Sequence, residues 1–338
     1  MILVQEAKDK INAKVRTESL LNAVRENRIL TLVVEPSSKC NLTCSFCDLH
    51  SGRIQNIDKK YKGIMTSGTF RILVDQLTGL SYRLRQLQIH GNGEPLLNKD
   101  IDKFIAYASE KNIADSIRLT TNGTMLTPRI LGKLLDSGVD EIRVSLDVAD
   151  KSLYSQFKGK DLYEKVYKNL INAIEKIENA GGASLVIKYP LPSPDQQYGI
   201  TQDFVDSVFK TFASFAKDSP TIHLLGMPVI TLPLGVLLDD LVHEKCVANE
   251  APCEIPFYSL YVKYDGRVSV CCADFTDILD VGNIHQQHLG EIITGERLRE
   301  FRIKHLQRNF SEIPICKSCG NRTCVDLTPI ASELMSFI

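Results

Sequence analysis

From residue 31 onward, short apolar runs alternate with helical patterns six times over, and that rhythm restricts the folds open to the chain. The runs cover 31–35, 87–90, 116–121, 141–145, 184–189 and 221–225, with helical periodicity over 67–79, 99–112, 127–137, 163–180 and 201–217. Apolar strands separated by helices argue for βαβ units and a parallel sheet. Right-handed crossovers wind six such units into a partial barrel or an open doubly wound sheet, and the residues alone do not choose between the two. In either fold, chemistry gathers at the carboxyl ends of the strands.

The first strand runs into Ser38-Lys-Cys-Asn-Leu-Thr-Cys-Ser-Phe-Cys-Asp48, which sets Cys40, Cys44 and Cys47 at Cys-x3-Cys-x2-Cys spacing. A loop at a strand end can turn three such thiolates toward one centre. A cubane iron–sulfur cluster normally takes four Cys ligands, so three leave one iron open. The alternative is a zinc knuckle completed by a distant His or Cys, because zinc takes the same ligands. The ten cysteines fall only within 40–47, 246–272 and 316–324. That grouping suits metal sites, not the disulfide frame of a small secreted domain, and predicts a reducing, cytoplasmic setting. Residues 1–26 carry no secretory h-region, and no stretch approaches ~18 consecutive apolar residues, so no membrane partner is expected. A formal net charge of −1 leaves no electrostatic footprint for nucleic acid. Residues 1–30 read as an amphipathic helical extension, with Ile11, Val15, Leu20, Leu21 and Val24 on one side.

The other strand ends carry candidate ligand contacts. Strand two ends in His90-Gly-Asn-Gly-Glu-Pro95, where glycine lets backbone approach a ligand and a carboxylate can accept from an ammonium group. Strand three ends in Thr120-Thr-Asn-Gly123, strand four in Val144-Ser-Leu-Asp147 ahead of Tyr154-Ser-Gln-Phe-Lys-Gly159. Asp147 can cap the helix that follows or touch a ligand. Strand five leads into the proline-rich 188–194, an extended loop on the substrate side of the cavity.

The tail differs in character. Residues 252–271 read as a β-hairpin about Asp265-Gly266, with Cys253 at its mouth and Cys271 on the returning strand. A helix over 289–306 precedes Cys316-Lys-Ser-Cys319. Together these offer four thiolates, and spacing does not separate a zinc ribbon from a [4Fe–4S] cluster. Strand alternation points Cys272 away from Cys271. Cys246, Cys272 and Cys324 are left over; such thiols are more often buried apolar filling than chemistry, and one of the three is a candidate hydrogen-atom donor.

Cys-x3-Cys-x2-Cys with Phe46 before its last Cys, followed one βα unit later by Gly91-Asn-Gly-Glu-Pro95, resembles the signature of the radical S-adenosylmethionine (radical SAM) family. Cys-x12-Gly-x4-Cys, Gly282-Asn-Ile284, Phe301-Arg302 and Cys-x2-Cys resemble the SPASM/twitch extension of those enzymes. The two resemblances span about residues 31–326 and imply an α/β chain with a partial (β/α)6 TIM-type barrel over 31–230. The 1–30 extension precedes it, and a small β-hairpin-plus-helix iron–sulfur domain over 231–338 follows. They also imply a [4Fe–4S] cluster on Cys40, Cys44 and Cys47 whose open iron chelates SAM. Further SAM contacts fall on Phe46, Asn92, Gly93, Glu94, Asn122, Ser145 and Lys158. Asn92 stands where the family has Gly, and Lys158 where many relatives have an Arg fork, which a Lys point charge does not replace. An auxiliary [4Fe–4S] cluster is implied on Cys253, Cys271, Cys316 and Cys319. Too few cysteines follow Cys319 for the second auxiliary cluster of longer forms.

The implied chemistry is one-electron reduction by a flavodoxin- or ferredoxin-type donor, cleavage of SAM to a 5′-deoxyadenosyl radical, and removal of a hydrogen atom from substrate. The substrate class expected first is a small polar molecule (sugar, aminocyclitol or nucleoside), dehydrogenated or epimerised. The single auxiliary site resembles that of an aminocyclitol dehydrogenase, and the stretch before the barrel is too short for a peptide-leader-binding domain. The alternatives are a peptide- or protein-modifying maturase and, remotely, a zinc-stabilised binding module.

Overall fold

The computed structural model describes residues 19–47, 49–52, 61–191, 200–228, 252–317, 319 and 327–338. Six strands come first: β1 (Thr31–Val34), β2 (Gln86–Ile89), β3 (Ile117–Thr121), β4 (Glu141–Ser145), β5 (Ser184–Leu191) and β6 (Ile222–Pro228). Each pairs in parallel with its successor in the chain. A doubly wound sheet reverses its strand order at a switch point. This sheet never does, and the architecture is the partial (β/α)6 barrel.

Alternation divides each strand between two environments. Leu32, Val34, Leu87, Ile89, Leu119 and Val144 are fully buried in one core with Phe70, Leu73, Phe104, Leu131 and Leu170. The latter five come from α2 (Ser67–Thr78), α3 (Ile101–Glu110), α4 (Pro128–Asp136) and α6 (Tyr163–Ala180); α7 (Gln202–Ala216) adds Val208 and Phe212. The alternate set, including Gln88, Arg118, Glu141, Arg143 and Lys188, is half-buried on the opposite face, the barrel lumen. Cap chemistry fixes the helix starts. Thr66 and Thr127 accept the first orphan amides of α2 and α4, and Pro128 supplies a pre-set first residue to α4.

The C-terminal unit continues this sheet. β7 (Ser259–Val262) lies parallel to β1, with Thr31 opposite Ser259 and Val34 opposite Val262. β8 (Arg267–Ser269) and β9 (Asp280–Asn283) follow antiparallel, giving the order β6-β5-β4-β3-β2-β1-β7-β8-β9. The hairpin therefore covers the β1 edge that an open barrel would expose.

Several details depart from the sequence reading. The hairpin begins at Ser259, because Ile255-Pro-Phe-Tyr258 forms a short helix, α8 (Ile255–Tyr258). The helix expected over 289–306 is two, α9 (Leu289–Ile293) and α10 (Glu296–Leu306). They break at Gly295, where an added Cβ would sit 2.7 Å from the Glu291 carbonyl. β9 was not anticipated, and α5 (Lys151–Lys158) is the helix expected to follow Asp147. Residues 19–25 are helical (α1), and Leu20 and Val24 pack with Phe257, Leu306 and Leu334 in a second core beside α11 (Ala331–Phe337). Ile11, Val15 and the whole of the 192–199 and 229–251 segments lie outside the described residues. No helix of the described residues is long and apolar enough to cross a membrane.

Candidate cluster and cofactor site

The loop after β1 is held from three sides. Ser45 N donates to Phe157 O (2.8 Å) and Thr43 N to Lys158 O (3.3 Å), which moors the loop to the end of α5. Phe46 stacks on Phe157 with centroids 4.6 Å apart. α5 stops there because Gly159 takes a left-handed conformation (φ +72) tight against Thr43, where a Cβ would meet Thr43 Oγ1 at 2.2 Å. From β2, Gly93 lies flat on the 37–39 backbone, with 2.3 Å between an added Cβ and Lys39 O, and Glu94 N donates to that same carbonyl (2.8 Å). From β3, Asn122 Nδ2 donates to Asn41 Oδ1 (2.9 Å) and lies 3.9 Å from Cys40 Sγ, while Asn41 Nδ2 donates to Thr124 Oγ1 (2.8 Å).

This frame brings Cys40, Cys44 and Cys47 into one neighbourhood. Burial pushes the Cys40 and Cys44 thiols up; Cys47 adds to the effect at Cys40, and Lys158 opposes it at Cys44. Among the described residues, no three His, Cys, Asp or Glu side chains converge at single-ion distance. A cubane instead asks for one thiolate on each of several irons, and three soft sulfur donors without an oxygen donor are a donor set that fits it.

The other anticipated contacts fall around this loop in distinct roles. Glu94 is buried, and its carboxylate is already engaged: Oε1 accepts from Leu96 N (3.0 Å) and Thr121 Oγ1 (2.6 Å), Oε2 from Asn122 N (2.7 Å). Three donors occupy most of what a carboxylate can accept. Glu94 thus splices the ends of β2 and β3. Asn92 N donates to Glu35 Oε1 (3.0 Å), and His50 Nε2 lies 2.9 Å from Asn92 O. Lys158 is fully buried. Its ammonium is paired with Asp147, donates to Ser145 O (2.8 Å) and sits 5.6 Å from the Phe46 ring centroid. Asp147 does not cap α5: Asp150 does, through Ser152 N and Leu153 N, and frees Asp147 to hold Lys158 from a left-handed position (φ +71).

The second cysteine set gathers around the base of the hairpin. Cys253 and Cys272 each lie within electrostatic reach of Cys319, and Cys253 also senses Cys271. Cys319 N donates to Cys316 O (3.3 Å) in the turn that closes the set. One expectation fails here. Cys272 does not point away from Cys271: the two thiols lie close enough to act on each other electrostatically. β8 ends at Ser269, so strand alternation no longer applies at 271–272. Five thiols therefore stand where four were expected; Cys246 and Cys324 lie outside the described residues. The donor set again fits an iron–sulfur cluster.

Two positioning residues escaped the sequence reading. Glu35 is buried at the end of β1 and accepts from Tyr261 Oη (2.7 Å) as well as Asn92 N, which locks the hairpin to the loop after β2. Gly91 is obligatory beside it, since a Cβ would fall 2.6 Å from Glu35 Cγ. His305 is fully buried, accepts Cys253 N–H at Nδ1 (3.3 Å) and places Nε2 3.4 Å from Cys316 Sγ. The signals were present: Glu35 is the one charge in an apolar strand, and His305 lies 11 residues before Cys316 on the helical face of Leu298 and Arg302.

Comparison with known proteins agrees with both halves. A model of the radical SAM superfamily matches residues 34–190, and a model of the SPASM iron–sulfur cluster-binding domain matches 253–320. The chain is 24% identical over 292 residues to an S-adenosyl-L-methionine-dependent 2-deoxy-scyllo-inosamine dehydrogenase of Niallia circulans, covering 85% of this chain and 91% of the relative. It is 34% identical over 322 residues to a probable GTP 3′,8-cyclase of Methanococcus maripaludis, covering 87% and 98%. The crystal structure of BtrN in complex with AdoMet and 2-DOIA shares the fold, with a TM-score of 0.57 and 22% identity over 87% of this chain and 93% of that one.

Proposed function

The chain belongs to the radical SAM superfamily and carries a SPASM-type cluster domain, and on that premise we propose that it removes a hydrogen atom from a small polar substrate held in the barrel lumen, leading to dehydrogenation or epimerisation. It is an enzyme of S-adenosyl-L-methionine and [4Fe–4S] clusters. Held by Cys40, Cys44 and Cys47, a reduced [4Fe–4S] cluster would supply the electron for reductive cleavage of SAM, the chemistry by which this family generates a hydrogen-abstracting radical.

The residues of the chain bind and orient. Cys40, Cys44 and Cys47 hold the SAM-binding cluster. The backbone of 91–93 receives the methionine ammonium, while Glu94 and Asn122 keep that backbone and the Cys loop in register. Phe46, Ser145 and Lys158 form the wall on the α5 side, with Asp147 holding Lys158 in place. Cys253, Cys271, Cys316 and Cys319 hold the auxiliary cluster, with Cys272 as a fifth thiol beside it. A flavodoxin- or ferredoxin-type protein delivers the electron in the cytoplasm, where thiols stay reduced.

The observation that carries this reading is the Cys40–Cys47 loop at the carboxyl end of β1, moored by α5, β2 and β3 together. The substrate class is supported by the two relatives aligned over most of the chain, whose names specify a cyclitol and a nucleotide, both small polar molecules. The test is anaerobic incubation of reconstituted protein with SAM, dithionite and deuterated candidate substrates, with deuterium read in 5′-deoxyadenosine. Protein that holds no inorganic sulfide, or never consumes SAM when given electrons, rules the reading out.

A further inference from the structure

The lumen of this barrel is charged where such a lumen is ordinarily filled by branched apolar side chains. Arg118, Arg143 and Lys188 project from β3, β4 and β5 on the face opposite the helical core. Glu141 Oε1 takes both Arg118 Nε and Arg143 Nε, the latter at 2.5 Å, so a single carboxylate answers two guanidinium groups. One layer higher, Lys188 stands opposite Ser145. Asp147 is near, but its carboxylate is taken by Lys158. The Lys188 ammonium makes no hydrogen bond or ion pair among the described residues, and burial holds its proton affinity below the ordinary lysine value. On β3, β4 and β5 three cations, Arg118, Arg143 and Lys188, thus face one carboxylate, Glu141, leaving an excess of two positive charges on these strands. The field is felt at His90, on the lumen face of β2. Burial first, then Lys188, Arg118 and Arg143, drive its pKa down to about 3, so it stays neutral and cannot add to or offset the excess.

An unpaired ammonium largely withdrawn from water is costly unless a partner arrives. The lumen is also reachable: the Arg118, Glu141 and Arg143 side chains keep 18%, 20% and 21% of their surface. We propose that Lys188 and Arg143 form an oxyanion-binding subsite in the lumen, and hence that the substrate carries a phosphate or carboxylate group. Lys188 supplies an uncommitted point charge. Arg143 meets Glu141 through Nε, and its Nη groups make no hydrogen bond among the described residues, so they offer the planar donors that suit a carboxylate or phosphate. This deepens the proposed function and rests on it: a neutral sugar gains nothing from these charges, a free aminocyclitol is repelled by them, and an anionic sugar or nucleotide is drawn in.

The test is calorimetric titration of the anaerobically reconstituted holoenzyme with pyrophosphate and, separately, with citrate, at low and high salt. Saturable binding of either is expected, weaker at high salt. It should weaken about tenfold or more in Lys188→Met and in Arg143→Gln, and return in Lys188→Arg. Iron content measured on each variant confirms that it is loaded. Binding of pyrophosphate alone assigns a phosphate, and of citrate alone a carboxylate. If neither anion saturates the protein, or both bind Lys188→Met and Arg143→Gln as they bind the parent, the subsite does not exist. SAM consumption on the same preparation is scored apart: anion binding without SAM cleavage overturns the proposed function and spares the subsite.

Discussion

The two cysteine sites are built on opposite principles. The Cys40–Cys47 loop gathers its thiols within eight residues and borrows its rigidity from distant elements: α5 through main-chain bonds, β2 through Gly93 and Glu94, β3 through Asn122. The second site collects thiols from 253, 271–272 and 316–319 and is braced locally, by one buried imidazole and a tight turn. A site with local ligands and remote supports is sensitive to changes far from the metal. A site with remote ligands is sensitive to the fold that collects them.

Loss of a ligand is the strongest way to break the comparison. Cys44→Ala should abolish SAM cleavage, by more than the 10–100-fold typical of a supporting residue, while the second site keeps its iron. Cys253→Ala should do the reverse to cluster content and also loosen the β1–β7 junction, which shows as a lower thermal midpoint. Iron and sulfide analysis with spectroscopy of each variant decides the matter. Equal loss of both clusters in both variants would mean that the two sites fold as one unit.

Next come the supports of the first site. Lys158→Met strands the Asp147 carboxylate beside the Cys loop and should cost about 3 kcal/mol in denaturant unfolding, as expected for a broken buried pair. Lys158→Arg should restore part of it, limited by the larger guanidinium. Glu94→Gln sets an amide NH2 against donors that now meet carboxylate oxygen. About 1–3 kcal/mol of stability should go with it, along with SAM affinity, read by calorimetry. If Glu94→Gln leaves stability untouched and SAM affinity alone falls, the carboxylate touches the cofactor and is no splice.

What the sequence disclosed follows the same division. The six-fold alternation foretold the sheet, and β4 was read to the residue, because Glu141-Ile-Arg-Val-Ser145 alternates without interruption. Cys40, Cys44 and Cys47 were legible because their chemistry lies in local spacing. Pairings between remote residues were not: nothing in the chain announces that Asp147, three residues before the true cap Asp150, reaches Lys158, or that β7 docks in parallel on β1. Cys272 was misplaced because alternation was carried past the end of β8 into a turn. The lumen charges were visible singly as polar residues in strands, but their excess emerges only once register sets β3, β4 and β5 side by side.

The mildest change offers the finest discrimination, and it concerns His305. Its Nδ1 accepts the Cys253 amide, so in the neutral ring the proton must reside on Nε2, which faces Cys316 Sγ at 3.4 Å. The ring is clasped by Phe301 and Phe310, with centroids 4.8 and 5.1 Å away, and has little freedom to turn. Hydrogen bonds to ligand sulfur draw charge from an iron–sulfur cluster and raise its reduction potential. His305→Leu should therefore move the auxiliary potential to more negative values in an electron-paramagnetic-resonance titration and leave the potential of the Cys40–Cys47 cluster in place. His305→Gln, which can still accept at one end and donate at the other, should recover part of the shift. A matching shift at both clusters would show that His305 acts through the fold; a shift confined to the second shows that it acts through Cys316.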